Sequence, residues 1–491
     1  MRRRIILAVL LLAALVAAIR AFVVAREFDT AVTAQHFASL RDDHPALRAF
    51  LYRMPKGADL HVHLSGASYA EPMIGWAARE GLCVRLKDWF IVAPPCTPDE
   101  PSVAETMRDQ RKFDAMVNAQ SMRFFLPTPA VPSGHDQFFS TFSKFSEITW
   151  RVTPELTVDM LDRYGAQSVQ YAEFMLSFST REERAPLTAS IRGMTDHAAM
   201  LETLKRNGLD KLVAKARAEV VDIERKVEAL RDCPSEPRKP ACRVNYRYIV
   251  QVSRNTPIED VFTQTAFAAA LIRAAPRIVA LNFVQTEDNQ IARRDYTKHM
   301  EIVKFLAGDV NVALHAGELW LGLVPPTDLT FHIRQAVEIG GAKRIGHGTA
   351  LAFENDVDGL LAELRRRPVT IEISLTSSDV ILQVRGKDHP LATYLAAAVP
   401  VVLSTDDPGV SRIDMTNEYF RGAHEHGLSY RTLKSLARNA LTYSFLADAE
   451  KRQELDRFER SSREFETSIA GALPWPQRLW LMAVEAVAPA R

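Results

Sequence analysis

Residues 57–64 read GADLHVHL, a short and mostly apolar run in which His61 and His63 stand two positions apart. Successive side chains of a β-strand point to opposite faces of the sheet, so residues at i and i+2 share one face. The stretch therefore predicts a strand that presents two imidazoles on the same side, a geometry suited to a metal ion. Taken alone, such a pair is more often two hydrogen-bonded histidines than two ligands.

Similar runs recur along the chain between segments of helical periodicity. Eight strands are predicted, at residues 57–64, 169–176, 245–252, 278–284, 311–316, 344–347, 369–375 and 400–405. The runs at 312–314 and 401–403 are continuously apolar, as expected for parallel strands that are buried on both faces. Eight such strands alternating with helices predict an α/β fold, a (β/α)8 TIM barrel with an N-terminal helical extension and inserted loops.

Polar side chains follow four of these strands, at the end where such barrels carry their active sites. They are His61 and His63 at strand one, His315 and Glu318 at strand five, His347 at strand six, and Asp406 and Asp407 at strand eight. Each has an ordinary structural explanation, such as a helix N-cap for the two aspartates before Pro408. Their joint occurrence at one end of the barrel favours a shared site.

Three imidazoles and one carboxylate form a ligand set that suits zinc and leaves a position for water. The predicted ligands of one zinc ion per chain are His61, His63, His315 and Asp406. A second metal is not expected, because residues 282–285 at the end of strand four read NFVQ and contain no lysine to bridge two ions.

Five segments resemble the ordered motifs of the adenosine/AMP deaminase family. They are MPKGADLHVHL at 54–64, HAGE at 315–318, RIGHGT at 344–349, STDDP at 404–408 and RNALTYSFL at 438–446. Together they span most of the chain after residue 45, and the N-terminal segment looks closest to that of the secreted, growth-factor-like adenosine deaminases. The resemblance implies an EC 3.5.4-type aminohydrolase, most simply EC 3.5.4.4, that converts adenosine and 2′-deoxyadenosine to inosine products and ammonia.

The resemblance also implies a role for the remaining residues of the site. His347 would take a proton from the attacking water, Glu318 would protonate purine N1, and Asp407 would hydrogen-bond N7. Ser65 stands where the family usually has an Asp that binds the ribose 5′-hydroxyl. Gln285 stands where the family has a Gly whose N–H contacts purine N3. Both residues are therefore predicted to bind substrate.

These two departures leave other functions open. Adenine, AMP or N6-methyl-AMP could replace adenosine as the substrate, and a phosphate would need a basic partner, for which Arg254 is the candidate. A nucleoside-binding module without catalysis is the third alternative, although such a module would be expected to have lost part of the catalytic set. A further departure places Ser378 where the family has Asn, and Ser378 is expected to support the loop after strand eight.

The composition is that of an enzyme acting on a small molecule. The chain has 491 residues, of which 47% are hydrophobic, and its 61 basic and 60 acidic side chains leave a formal net charge of +1. This balance gives no indication of nucleic-acid binding. The predicted partner, a purine nucleoside, is what the resemblance implies.

The N-terminus predicts export. Three arginines at 2–4 precede an apolar run at 5–19, which suits a signal peptide better than a full membrane span. Residues 1–25 are assigned to a signal peptide or, if they are not cleaved, to a membrane anchor. The barrel is then expected in the periplasm or the extracellular space, with the anchored form held at the inner membrane.

Cysteine usage fits that compartment. Cys83 and Cys96 are close in sequence, as are Cys233 and Cys242, and these pairs predict two disulfides. Four cysteines allow three pairings, and free buried thiols are the alternative.

One extension and two insertions are added to the barrel, which is assigned to residues 54–475. Residues 26–53 form the predicted helical extension, and insertions lie near 85–150 and 205–244. Loops at the catalytic end of such a barrel usually shape the pocket or an oligomer contact. In the secreted relatives a leading extension contributes to a dimer, so residues 31–52 predict a homodimer.

Overall fold

The computed structural model describes residues 28–474, 476, 477 and 480. The strands in this part of the chain are β1 (Gly57–His63), β2 (Cys83–Arg85), β3 (Phe90–Val92), β4 (Val169–Leu176), β5 (Asn245–Ser253), β6 (Ile278–Val284), β7 (Ala313–Ala316), β8 (Arg344–His347), β9 (Thr370–Ile373) and β10 (Val401–Leu403).

The strands alternate with helices along most of the chain. The helices are α1 (28–39), α2 (His44–Arg53), α3 (Leu64–Ala67), α4 (Ala70–Arg79), α5 (Val103–Thr106), α6 (Gln110–Ala119), α7 (Gly134–Thr149), α8 (Thr153–Ala166), α9 (Arg181–Ser190), α10 (His197–Arg206), α11 (Leu209–Arg231), α12 (Ile258–Ala274), α13 (Gln290–Arg294), α14 (Tyr296–Ala307), α15 (His332–Glu338), α16 (Val357–Arg366), α17 (Leu375–Leu382), α18 (Leu391–Ala396), α19 (Pro408–Ser411), α20 (Met415–His424), α21 (Tyr430–Thr442) and α22 (Asp448–Ala472). Short 3₁₀ helices lie at Pro240–Arg243, Pro326–Leu329, Thr349–Phe353 and Gly386–Asp388.

Eight strands form the predicted barrel as two parallel four-stranded sheets. Their orders are β1-β4-β5-β6 and β10-β9-β8-β7. One junction is a bridge between Val62 and Asp406, where the Asp406 N–H donates to the carbonyl of His61 over 2.9 Å. The other is a bridge between Leu281 and Val312. The (β/α)8 prediction is therefore confirmed.

The predicted strands agree closely with the observed ones, except near the active-site end. Strands β9 and β10 end at Ile373 and Leu403, two residues before the predicted ends. After Leu403 the backbone N–H of Thr405 donates to the carboxylate of Asp59 over 3.2 Å instead of continuing the ladder. The antiparallel pair β2–β3 was not predicted, because strands of three residues are too short to show alternation.

Close packing between β1 and α21 fixes the position of the first strand. Helix α21 is capped by the Ser429 hydroxyl, which accepts from the Thr432 N–H over 3.1 Å, and its apolar face packs on β1 and β10. Gly57 has φ +65°, and a Cβ added there would lie 2.0 Å from the Ala437 carbonyl oxygen. Only glycine allows this approach, which sets where the following histidines emerge.

Both predicted disulfides are present, joining Cys83 to Cys96 and Cys233 to Cys242. Disulfides persist mainly in oxidising environments, so they indicate an oxidising, extracellular type of compartment. Among the described residues, no helix has both the length and the apolarity needed to cross a bilayer. The predicted export segment at 1–25 lies outside the described residues.

Candidate active site

Four side chains meet at the C-terminal end of the barrel with the spacing of a metal site. Nε2 of His315 lies 3.0 Å from Nε2 of His61 and 3.2 Å from Nε2 of His63. Oδ1 of Asp406 lies 3.5 Å from Nε2 of His61 and 3.3 Å from Nε2 of His63. Donor atoms about 2.0 Å from a tetrahedral zinc ion would lie about 3.3 Å from one another. The four predicted ligands therefore fit one ion.

Each imidazole is also held through its second nitrogen. The groups that contact these Nδ1 atoms are Glu372 Oε2 for His61 at 2.6 Å, the Gln251 amide for His63 at 2.7 Å, and Asn282 Oδ1 for His315 at 2.8 Å. Such contacts orient the rings and leave Nε2 available for the metal. Glu372 is in turn paired with Nε of Arg344 at 2.6 Å, so a buried ion pair holds the carboxylate that orients His61.

The carboxylate of Asp406 is held by a residue that the sequence did not indicate. Ser377 donates its hydroxyl to Oδ2 of Asp406 over 2.7 Å. The expected supporting residue, Ser378, lies instead 3.3 Å from the hydroxyl of Thr349. The support for Asp406 thus comes from the residue before the expected one. Both serines lie on α17, which starts at Leu375, and successive side chains of a helix point about 100° apart, so Ser377 faces Asp406 and Ser378 does not.

The end of β8 is shaped by close contact with the metal group. A Cβ on Gly346 would lie 2.5 Å from Cε1 of His61, so a larger residue would displace that ring. His347 follows with φ 67°, and Asp406 has φ 60°. Side chains rarely adopt this left-handed conformation, and its occurrence at two site residues is typical of functional sites.

The three predicted catalytic residues face the same space. Nε2 of His347 lies 3.6 Å from Oε1 of Glu318. Within the described part of the chain, that Glu318 oxygen, both ring nitrogens of His347 and Oδ1 of Asp407 are buried without a hydrogen-bond partner. Asp407 occupies the N-cap position of α19 but makes no capping hydrogen bond with its side chain. Buried polar groups normally have partners, so this cluster is arranged for a ligand.

Burial sets the protonation of these residues. Desolvation, reinforced by the Asp406 carboxylate, raises the pKa of Glu318 well above its usual range, and the same two causes raise the pKa of Asp407. Desolvation lowers the pKa of His347 to about 3. Burial thus favours the protonated form of the two carboxyl groups, which can donate, and the neutral form of the imidazole, which can accept.

Arg254 does not lie where a phosphate could reach it. Its side chain is 1% exposed and donates to the carbonyls of Gln285 over 2.9 Å and His315 over 3.2 Å. The candidate role of Arg254 as a phosphate partner is therefore wrong. Through these bonds its guanidinium joins β7 to the residue that follows β6.

Glu287 was missed by the sequence analysis and holds the loop that carries Glu318. Its carboxylate accepts from the N–H groups of Gly317 over 3.1 Å and Glu318 over 2.8 Å, and it contacts Nδ1 of His332 at 2.5 Å. An acid just after a strand gives no signal for this role, because its partners lie 30 to 45 positions away.

A cavity of about 460 Å³ extends from the metal group, and the predicted substrate residues Ser65, Gln285 and Asp407 line it. Its roof is formed by Phe138, Phe139 and Phe142 of α7, which the sequence analysis did not identify. Other residues on its wall are His63, Ser143, Gln251, Ser253, Asn255, Val284, Thr286, His315, Glu318, Ile381 and Asp406. None of these described lining residues is Lys or Arg.

Gln285 adopts φ 76°, a conformation that favours glycine. Its side-chain oxygen accepts from the Asn255 N–H over 3.2 Å. The amide side chain is thus engaged with the rim of the cavity through that bond.

The parallel barrel and the His3Asp group at its C-terminal end define a metal-dependent hydrolase. A family model described as adenosine deaminase matches residues 211–461, just over half of the chain. The chain belongs to the adenosine deaminase family.

Individual relatives match over shorter segments or at lower identity. The adenosine deaminase of Salmonella dublin is 36% identical over 143 residues, which are 29% of this chain and 40% of that protein. The adenosine deaminase of Aliivibrio fischeri is 34% identical over 163 residues, 32% of this chain and 43% of that protein. The aligned segment thus spans only about two fifths of the length of these curated relatives.

Solved structures extend the likeness over the whole fold. The apo N6-methyl-AMP deaminase of Arabidopsis thaliana has a TM-score of 0.56 at 19% identity, covering 85% of this chain and 99% of that one. A zinc-bound amidohydrolase of Burkholderia ambifaria has a TM-score of 0.52 at 16% identity, covering 87% and 95%. At such identities the likeness shows the shared fold. The closer kinship to secreted, growth-factor-like enzymes stays a prediction.

Proposed function

We propose that this protein is a zinc-dependent deaminase that hydrolyses adenosine and 2′-deoxyadenosine to the corresponding inosines and ammonia. One observation carries the proposal: a four-residue metal-binding group lies at a cavity beside two buried carboxyl groups and a buried imidazole that have atoms without a partner among the described residues. This combination offers a nucleophile, a proton acceptor and proton donors around one small-molecule site.

The nitrogen-rich donor set formed by His61, His63, His315 and Asp406 suits zinc. When bound, zinc supplies Lewis acidity that activates a water molecule at neutral pH.

The remaining residues provide the proton transfers. Neutral His347 accepts a proton from the water as its oxygen bonds to purine C6, and protonated Glu318 donates to N1. Protonated Asp407 donates a hydrogen bond to N7 and fixes the ring. His347 then passes its proton to the C6 amino group, the C6–N bond breaks and ammonia leaves. The remaining hydroxyl proton returns to Glu318, which leaves a carbonyl at C6. Ser65 and Gln285, on the wall of the same cavity, are proposed to contact the sugar end and the base.

The cavity favours a nucleoside over the alternative substrates. A phosphate on AMP or N6-methyl-AMP would meet no Lys or Arg among the described lining residues, and burying it without a partner would be costly. Free adenine would leave much of a 460 Å³ cavity unfilled. The complete set of Glu318, His347 and Asp407 argues against a module that only binds nucleosides.

The test is to incubate the zinc-loaded protein with adenosine, 2′-deoxyadenosine, adenine, AMP and N6-methyl-AMP and to measure ammonia release. We expect release from the two nucleosides, its loss after chelation and its return when zinc is added. Release confined to the phosphorylated compounds or to adenine would refute the nucleoside assignment, and release that resists chelation would refute the metal. The two disulfides support action in the periplasm or extracellular space, while the signal peptide or membrane tether and the homodimer stay predictions.

A further inference from the structure

A second chamber of about 200 Å³ opens off the main cavity. Ser65, Phe142 and Gln251 line both spaces and mark the place where the two adjoin, which is called the passage below. The side chamber lies under the C-terminal half of α7 and against the first turn of α8 and the end of β4. Its volume equals that of about six or seven water molecules, enough for a substituent of several heavy atoms.

The wall of the side chamber is uncharged and largely apolar. Phe145, Trp150, Leu156 and Leu176 contribute rings and aliphatic carbon, and no Lys, Arg, His, Asp or Glu is among its described lining residues. A charged group that entered this space would therefore lose its water without gaining a partner.

The hydroxyl groups of the side chamber are already engaged with the protein. Ser146 donates to the carbonyl of Ser143 over 3.1 Å, and Thr149 donates to that of Ser146 over 3.0 Å. Thr153 donates to the carbonyl of Thr149 over 3.3 Å. Because these donors point back into the helices, the hydroxyl residues offer few donors to a ligand and favour carbon or sulfur.

The positions of the catalytic residues decide which part of a nucleoside would face this chamber. Glu318 follows β7 and His347 ends β8, whereas the passage residue Ser65 follows β1, across the ring of strands from β7. Gln251 lies on β5, between these two positions. In a purine, N9 lies across the ring system from C6 and N1. A base held at C6 and N1 therefore directs its sugar toward the passage. The 5′ carbon, which lies outside the sugar ring, is the part of the sugar that reaches farthest from the base.

This inference rests on the proposed function. We propose that the side chamber is a subsite for an uncharged, apolar substituent on the 5′ carbon, so that the preferred substrates are adenosines whose 5′-hydroxyl is replaced by an alkylthio group or one of similar size. Ser65 fits this role, since a neutral hydroxyl at the passage places no charge beside the apolar wall.

The test compares kcat/KM for ammonia release from adenosine, 5′-isobutylthio-5′-deoxyadenosine and AMP. We expect the alkylthio compound to exceed adenosine by roughly tenfold or more, as for a group of a few methylenes in an apolar pocket, and AMP to fall below adenosine. Two variants fill the chamber from different walls, Thr149→Phe from α7 and Ser177→Leu from the end of β4. Each should bring the alkylthio-to-adenosine ratio close to one.

The matched control is Thr203→Phe on α10. Thr203 is a half-buried helical threonine that lines neither chamber, so this variant should keep the wild-type ratio of alkylthio to adenosine turnover. If adenosine is deaminated but the alkylthio compound shows no advantage, or if both filling variants keep the wild-type ratio, the subsite proposal is wrong while the proposed function stands. A preference for AMP would also overturn it. Absence of turnover of all three compounds would overturn both proposals.

Discussion

The two ends of the cavity are built in different ways. At the metal end, each proposed metal ligand comes from the end of a barrel strand and contacts a second side chain, such as Glu372 behind His61 or Asn282 behind His315. At the other end, the walls come from an inserted helix, and their polar groups are bonded within that helix. The difference indicates that the strands fix the chemistry, while the insertion selects what is attached to the reacting ring.

Few side-chain hydrogen bonds join the inserted helix α7 to the barrel, although the helix packs against α3 and α17 and contributes buried residues to the core. The Gln137 amide donates to the carbonyls of Asn118 and Ser121, each over 3.1 Å, and His135 contacts Asp288 at 3.2 Å. This end should therefore tolerate substitution with small effects, whereas the metal end should not. Four predictions test that contrast in order of decreasing effect.

The largest effect is expected at a metal ligand. His315→Ala removes the nitrogen that lies within 3.2 Å of both other imidazoles. We expect loss of bound zinc together with a fall in kcat of roughly 10⁵-fold or more, because the main nucleophile is lost from an enzyme whose total acceleration is at least about 10⁶-fold. Elemental analysis and ammonia release measure the two losses. His424→Ala, at an exposed helix end, should change neither, and a metal-free but active His315 variant would contradict the assignment.

A proton donor at the metal end should give the next effect. Glu318→Gln keeps the shape of the side chain but cannot protonate N1, so kcat should fall by about 10²- to 10⁴-fold. Zinc content should stay at the wild-type level, which separates this variant from His315→Ala. Glu338→Gln, at the exposed last residue of α15, is the control. Near wild-type turnover in Glu318→Gln would assign the proton donor to another residue.

The metal end was also the part that sequence could predict. Histidines and acids at strand ends stand out because the apolar alternation before them is local, so the seven polar residues could be placed on one face of the barrel. Their buried supports could not be placed in the same way. Glu372 lies within a predicted strand, but its contact with His61 joins residues 311 positions apart. Only the closure of the barrel brings these two residues together.

The far end of the cavity depends on tertiary placement. The aromatic residues at 138, 139, 142 and 145 fit one helix, yet nothing in their spacing shows that Phe138, Phe139 and Phe142 would line the cavity. Likewise, the sequence located Arg254 after a strand but could not show that its guanidinium binds the backbone carbonyls of Gln285 and His315. Insertions fold against surfaces that distant segments create, so local patterns give their helices and not their contacts.

A support residue should have a smaller effect than a ligand. Glu372→Gln keeps a hydrogen-bond acceptor 2.6 Å from Nδ1 of His61 but loses the charge that pairs with Arg344. Outer contacts of this kind change metal affinity by about 10- to 100-fold. Competition with a fluorescent chelator would measure the change, and Glu363→Gln on outer helix α16 should leave the affinity as it is. An unchanged affinity in Glu372→Gln would show that the metal end is less dependent on its buried supports than the comparison implies.

The smallest effect is expected where α7 meets the barrel. His135 contacts Asp136 and Asp288, each at 3.2 Å; burial opposes its charged form, but hydrogen bonding and attraction from these aspartates outweigh burial and raise the pKa of His135. With a raised folded-state pKa, the stabilisation is fully present below the unfolded value of about 6.5 and is lost as pH rises through the folded value. We expect less than about 1 kcal/mol, because Asp136 is largely exposed.

His135→Gln removes the titrating group and keeps a polar side chain at the same place. Hydrogen exchange of residues 134–149 at pH 6 and pH 8.5, referenced to α22 in the same sample, compares the variant with wild type at each pH. Wild type should protect α7 more than the variant at pH 6 and to the same degree at pH 8.5. If wild type and variant protect α7 equally at both pH values, the contacts of His135 do not stabilise the helix. The roof of the cavity would then be held by Gln137 and by apolar packing alone.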